Sequence, residues 1–220
     1  KYHCDVLICP TPGLKAKDFK SEIKTKYLLG PRYVLLRDEI LNCKVCQKQN
    51  KDIKQILVSF GASFFDIKII KKFITVFESL FNGKKIIFLT GITSSFSKQL
   101  ILKKTPQNSY LFISAQKFSL SEITLPDLVI STASTIFWEF NYLNVRHIIF
   151  FISQNQKGNV IWLNTKKNIK TLGNIKRCNT NLIKLVCKEV IKSTQRKNII
   201  IDGKGKNRIY EYIKKIFYKI

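Results

Sequence analysis

The 220-residue chain is long enough for one large domain, or one and a half small ones, with a substantial core. Its 45% hydrophobic and 12% aromatic content excludes disorder, and no apolar run reaches the roughly 18 residues of a membrane-spanning helix. The net charge of +25 invites a nucleic-acid partner, but it comes from 33 Lys and only 6 Arg, and Arg forks do most recognition of bases and phosphates.

In chain order, "KYHCDVLICP" offers a strand at 4–9, with an apolar run too short and too early broken for a secretion signal. A second strand is expected at 33–37, and the lysine-rich stretches 10–31 and 42–54 read as connections. From 55 onward strands at 55–60, 84–90, 110–113, 127–131, 146–152 and 197–201 alternate with helical patterns at 66–81, 134–143, 179–195 and 205–219. Runs such as "KKIIFLT" and "HIIFFIS" are nearly continuous in apolar residues, as strands buried on both faces require. The expected fold is α/β, a Rossmann-like parallel sheet with helices on both faces. We expect a leader over 1–49 that belongs to the end of another unit, the Rossmann-like domain over 50–205, and a C-terminal helix over 206–220. The chain has no Met, its start included, so the natural protein is expected to begin upstream.

The lysines stand singly or in pairs among 32 Ile and 16 Phe, residues that share A/T-rich codons. We therefore expect no specific nucleic acid, and a weak attraction to an acidic membrane surface or to anionic substrates. Of the six cysteines only Cys43 and Cys46 form a C-x-x-C, half a zinc site, and His3 and His147 lack ligand spacing. Reduced thiols in a cytoplasmic protein, with no metal and no cofactor, are the expectation.

In an open α/β sheet the ligand sits at the carboxyl ends of the strands, beside helix N-termini. In "ILVSFGASFFD" a strand ends at Ser59 and Phe60, and Gly61-Ala62-Ser63 then turns the chain, with Gly61 free to take positive φ. Thr90-Gly91 follows the next strand, Ser131-Thr132-Ala133-Ser134-Thr135 another, and Asn155-Gln156 a fourth. Such a concentration favours a phosphorylated, sugar-like ligand, although Ser, Thr and Asn are also ordinary helix caps. Glu139, within two turns of a helix start, is placed to accept hydrogen bonds from ribose hydroxyls. It is equally placed as an acid favoured by the helix dipole, and in either role it is expected outside the core.

The segments "KYLLGPRYVLLRDEI" (26–40), "ILVSFGAS" (56–63), "DLVISTASTIFWEF" (127–140), "NQ" (155–156), "LG" (172–173) and "IDGKGKNRIYEYI" (201–213) occur in order. Together they resemble the C-terminal two-thirds of the UDP-sugar hydrolases of pseudaminic acid biosynthesis, relatives of spore-coat polysaccharide proteins. More distantly they resemble the nucleotide-binding half of GT-B glycosyltransferases, which have two facing Rossmann-like domains. The resemblance implies a UDP-sugar substrate: Gly61 and its loop on the diphosphate, 131–135 on the diphosphate or uridine, Glu139 on the ribose, and Asn155-Gln156 toward the sugar. It also implies a general-base histidine in a glycine-rich loop of an N-terminal domain that this chain lacks, with Asn155 in a supporting role. Departures stand at Ala62 and Phe64, where the family has Gly and Asp, and at Ala133-Ser134, where it has paired glycines. Three functions compete: a UDP-sugar hydrolase, a UDP-sugar glycosyltransferase, and a non-catalytic nucleotide-sugar-binding module.

Overall fold

The computed structural model describes residues 2–20, 24–43, 52–61, 66–90, 107–114, 118–120, 124–166, 169–193 and 200–217. Ala62, Ser63, Gly91 and Cys46 therefore lie outside the described residues. Among the described residues no helix is long and apolar enough to cross a membrane.

Among the described residues eight strands form two parallel sheets. β1 (Val6–Cys9) pairs with β2 (Lys26–Leu29) in register from Val6↔Lys26 to Cys9↔Leu29. The larger sheet holds β3 (Gln55–Ser59), β4 (Lys85–Thr90), β5 (Ser109–Ser114), β6 (Leu128–Thr132), β7 (Arg146–Phe151) and β8 (Lys170–Asn174) in the order β5-β4-β3-β6-β7-β8. All five neighbouring pairs are parallel.

Successive side chains of a strand point to opposite faces, and here both faces are buried. Ile56, Val58, Ile86, Phe88, Ile130 and Phe150 enter one core layer, under α2 (Ile67–Leu80) and α5 (Thr180–Lys192). Leu57, Ile87, Leu89, Val129 and Ile149 enter the other, under α3 (Thr135–Tyr142). The face of α2 is Ile70, Phe73, Ile74 and Phe77, all buried, at the spacing that puts every third or fourth residue on one side. Each such side chain contributes about 1.5–3 kcal/mol. These two layers are the α/β arrangement expected from the apolar runs.

Four local expectations need correction. Residues 33–37 form no strand: Gly30 (φ 93) leads into a 3₁₀ turn at Pro31–Tyr33, and the chain then runs as a strap into α1 (Asp38–Leu41). The strap buries Val34, Leu36 and Ile40 and leaves Leu35 57% exposed, so its alternation mimics a strand that has no neighbour to pair with. The second strand of the small sheet is β2 instead. Residues 154–164 form helix α4 (Gln154–Asn164), hidden in the sequence because it buries only Val160 and Leu163 and has no apolar stripe. Strand β8 is not among the expected strands; of the strand expected at 197–201, residues 197–199 lie outside the described residues, and Ile200 donates to Asn141 Oδ1 at 2.8 Å. β8 hides because Gly173 (φ 64) sits where its register with β7 shifts.

The last helix, α6 (Gly205–Phe217), packs on the 3₁₀ turn and the strap. Arg208 donates to Arg32 O at 3.0 Å and pairs with Asp202, while Lys206 Nζ lies 3.5 Å from Asp38. A Cβ on Gly205 would fall 2.0 Å from Val34 O, so the helix start touches the strap with no room for a methyl. Gly205→Ala is therefore expected to lose at least the ~1–3 kcal/mol of an overpacked site. Gly158→Ala, in α4 with nothing within 4 Å, should gain up to about 1 kcal/mol from helix propensity. Thermal melts of the two variants check this.

His147 on β7 is buried, its Nδ1 donating to Val145 O at 2.9 Å and its ring edge-on to Phe137 at 5.0 Å. Burial lowers its pKa to about 4. The unfolded chain then binds the extra proton between about pH 6.5 and 4, so stability falls with falling pH across that window, by roughly 3 kcal/mol. Urea titrations from pH 7.5 to 4 should show the loss, and His147→Gln should flatten it.

Candidate functional site

The chain leaves β3 for β4 and β5 on one side, then returns across the sheet to β6, β7 and β8 on the other. The connections diverge between β3 and β6, which opens a crevice at their carboxyl ends. A cleft of about 600 Å³ occupies it, walled by Ser59, Phe60 and Gly61 at the end of β3, Leu89 of β4, Thr132, Ser134, Thr135 and Ile136 around the start of α3, and Ile152 and Ser153 after β7. Arg37 and Phe118 close its side. A second cleft of about 580 Å³ adjoins it past Ser134, Thr135 and Gln156, which line both. Its far wall comes from the small sheet and the strap: Ile8, Pro10, Thr11, Tyr33 and Leu35.

The helix starts here differ from those elsewhere. α2 is capped by Asp66, whose carboxylate accepts from Lys68 N (2.9 Å) and Ile69 N (3.3 Å), and α5 by Asn179 accepting from Leu182 N (2.9 Å). Ser134 and Ser153 stand at the N-cap positions of α3 and α4 but cap neither helix with their side chains. The Ser134 hydroxyl pairs with Thr132 Oγ1 at 2.9 Å, and that of Ser153 with Asn155 Oδ1. Among the described residues the N–H groups of Thr135 and Ile136 find no acceptor. The helix dipole adds partial positive charge at this end.

Ser59, Gly61, Thr132, Ser134, Thr135, Glu139 and Gln156 thus meet in the first cleft, and Ala133, Asn155 and Gln156 in the second. Gly61 takes φ 87, and its N–H donates to Ser59 Oγ at 3.4 Å. Gln156 Oε1 accepts from Ile152 N at 3.0 Å. Thr90 and Ser131 line neither cleft. Both are buried, with Thr90 Oγ1 donating to Ile113 O (3.3 Å) and Ser131 Oγ to Thr132 O (3.1 Å).

Glu139 overturns one expectation. It is 3% exposed, and its carboxylate accepts from Arg37 Nε at 2.7 Å and Arg37 Nη2 at 2.9 Å, so it belongs to the core of the α3 side. The hydrogen bond to Glu139 holds the Arg37 guanidinium above its usual pKa. Arg37, although inside the quoted "LLGPRYVLLR", carried no signal of its own. Asn159 was hidden with α4: its Nδ2 donates to Ala133 O at 3.0 Å, anchoring the turn into α3, while its buried Oδ1 has no partner. Among the described residues no group of three or more His, Cys, Asp or Glu is placed to hold a metal.

The two-layered parallel sheet with its crevice between β3 and β6 is that of the Rossmann-like domains of GT-B proteins. MurG of Acinetobacter baumannii superposes with a TM-score of 0.64 at 12% identity, over 96% of this chain and 60% of MurG. MnaA of S. aureus, solved with UDP, gives 0.56 at 15% identity, over 94% of this chain and 51% of its own. The glycotransferase of kitacinnamycin gives 0.55 at 14%, over 76% of this chain and 42% of its own. The chain spans 60% or less of the length of each of the three. An uncharacterised protein of Methanocaldococcus jannaschii is 34% identical over 67 residues, 28% of this chain and 14% of that protein. No family model matches the chain.

The capping difference is measurable. Asp66→Ala should cost about 1 kcal/mol, whereas Ser153→Ala, whose hydroxyl caps nothing, should stay within about 0.5 kcal/mol of the parent. Chemical denaturation of the two variants checks both.

Proposed function

We propose that this chain is the nucleotide-binding half of a nucleotide-sugar enzyme that breaks the bond between a sugar's anomeric carbon and the diphosphate of UDP. One observation carries the reading. The start of α3 lines the crevice with no side-chain cap and with the N–H groups of Thr135 and Ile136 unbonded among the described residues, and a carboxylate, Glu139, lies one turn further along the same helix. The first feature suits the diphosphate and the second the ribose, so a single short helix measures a nucleotide. Gly61 (φ 87) lets the β3 turn approach the phosphates, and Asn155 and Gln156 face the adjoining cleft, where the sugar would lie.

In the reaction an acceptor oxygen attacks the anomeric carbon and loses its proton to a base, and the departing UDP oxygen keeps the bonding electron pair. The N–H groups of α3 stabilise the charge that develops on it. No metal or cofactor enters this scheme. His147, turned toward Phe137 and Val145, is not a base for this step, and the base would come from the facing half of a longer protein. The leader over 1–49 is then the end of that half together with the connection between the two, and α6 the return helix.

With an alcohol as acceptor the enzyme is a glycosyltransferase, the reading that the GT-B likeness supports better. With water it is a hydrolase of the pseudaminic acid type. That second reading rests on "LLGPRYVLLR" and "IDGKGKNRI", which meet in the fold where Gly205 touches Val34. This contact is architectural and leaves the acceptor open.

UDP binding tests the proposal. Calorimetric titration should show that the chain binds UDP and, by itself, turns over no UDP-sugar. Glu139→Ala should lower UDP affinity about ten-fold or more, since a hydrogen bond to a charged group contributes roughly 1.5–3 kcal/mol. Glu139→Gln should lose less. No UDP binding by the parent chain, or unchanged affinity in Glu139→Ala, would sink the nucleotide assignment.

A further inference from the structure

Glu139 presents a counting problem. A carboxylate offers about four lone-pair sites. Arg37 takes one on each oxygen, through Nε to Oε1 at 2.7 Å and Nη2 to Oε2 at 2.9 Å, in the fork-to-fork arrangement that fixes both planes. One acceptor site remains on each oxygen. A ribose carries two adjacent hydroxyls, each with one hydrogen to donate, and the two counts match.

The fork is itself held. Arg37 Nη1 pairs with Glu39 Oε1, and Glu39 Oε2 accepts from Ser119 Oγ at 3.0 Å. Below Arg37 the strap is fastened by Val34, Leu36 and Ile40, all buried in the α3-side layer. Ser119, Glu39, Arg37 and Glu139 form a polar chain that ends at the wall of the first cleft. The Arg37 side chain is 43% exposed and Glu139 4%, so the acid is buried at the inner end of the pair.

We propose that Arg37 is a positioning residue for the nucleotide subsite: it orients Glu139 so that the two free acceptor sites meet a vicinal diol. The chain would thereby select ribonucleotides over deoxyribonucleotides. The inference rests on the nucleotide-binding reading above. It assigns selectivity to a residue that need not touch the ligand, and to a geometry that Lys, a point charge with one contact, cannot reproduce.

The test is calorimetric titration of UDP, 2′-deoxy-UDP and 2′,3′-dideoxy-UDP against the full chain and its Arg37→Ala and Arg37→Lys variants, with a thermal melt of each. The parent should bind UDP about ten-fold or more tightly than the dideoxy analogue. Both variants should bring that ratio to within about two-fold, Arg37→Lys included, while the melt shows them folded. If Arg37→Ala does not fold, Arg37→Lys decides, because it retains the charge and the stem. A lowered melting temperature with an undiminished ratio in the folded variants would make Arg37 structural only and overturn the inference, leaving the nucleotide assignment intact. A parent chain that binds all three ligands equally would overturn it as well. A parent chain that binds none of them would remove the nucleotide assignment and this inference together.

Discussion

β3 pairs with β4 on one side and with β6 on the other, and every one of its five residues is buried. A parallel strand with neighbours on both edges cannot also have its successor beside it on both edges. The chain must therefore complete β4 and β5 outward, then travel back over the sheet to place β6. That return separates the turns after β3 and β6 and leaves a gap between them. The layers of Phe and Ile on either face make the gap permanent, since the sheet cannot shift register without moving its apolar set to the wrong layer. The crevice is thus a by-product of strand order that the core then holds rigid.

What the crevice contains follows from a division of labour among helix starts. At α5 the Asn179 side chain accepts from one of the first N–H groups, that of Leu182. At α3 the N-cap serine spends its hydroxyl on Thr132, and the N–H groups of Thr135 and Ile136 find no acceptor among the described residues. Uncapped ends cost stability in the empty protein, and an anion settling there recovers it. Glu139 would repel such an anion if its carboxylate stood alone. The Arg37 guanidinium, shared between Glu139 and Glu39, offsets part of its charge at the edge of the cleft.

The sheet was legible because apolar runs such as 84–90 and 146–152 are what double burial demands, and their strands appear at 85–90 and 146–151. The helices at 67–80 and 180–192 were legible from their stripes. α4 was not, because a helix that lies along a cleft with two buried residues writes no period into its sequence. The strap at 33–37 deceived in the opposite direction, since alternation records burial on one side and says nothing about a hydrogen-bonded neighbour. Strand ends pointed to Gly61 and Ser134, and a helix start to Glu139, all of which line the first cleft, but nothing pointed to Arg37. A residue a hundred positions away reaches Glu139 only through the path of the strap, which no local pattern encodes. The strand-end logic also took Thr90 and Ser131 for cleft residues, because strand ends reveal the edge of a sheet but not which side chains turn inward.

The touch of Gly205 on Val34 has a mechanical side. From Arg32 onward the strap is gripped by α6 on one flank and by the α3 layer on the other, so it moves with the six-stranded sheet. Gly30, just before it, has open space around the position of a Cβ and stands at φ 93 directly after β2. Any swing of the two-stranded sheet would turn about Gly30. Such a swing changes the aperture between Thr11 and Asn155 while leaving the Arg37–Glu139 fork at its fixed spacing. The second cleft's far wall is thus joined to the six-stranded sheet through one open glycine, while the Arg37–Glu139 fork is held from both flanks.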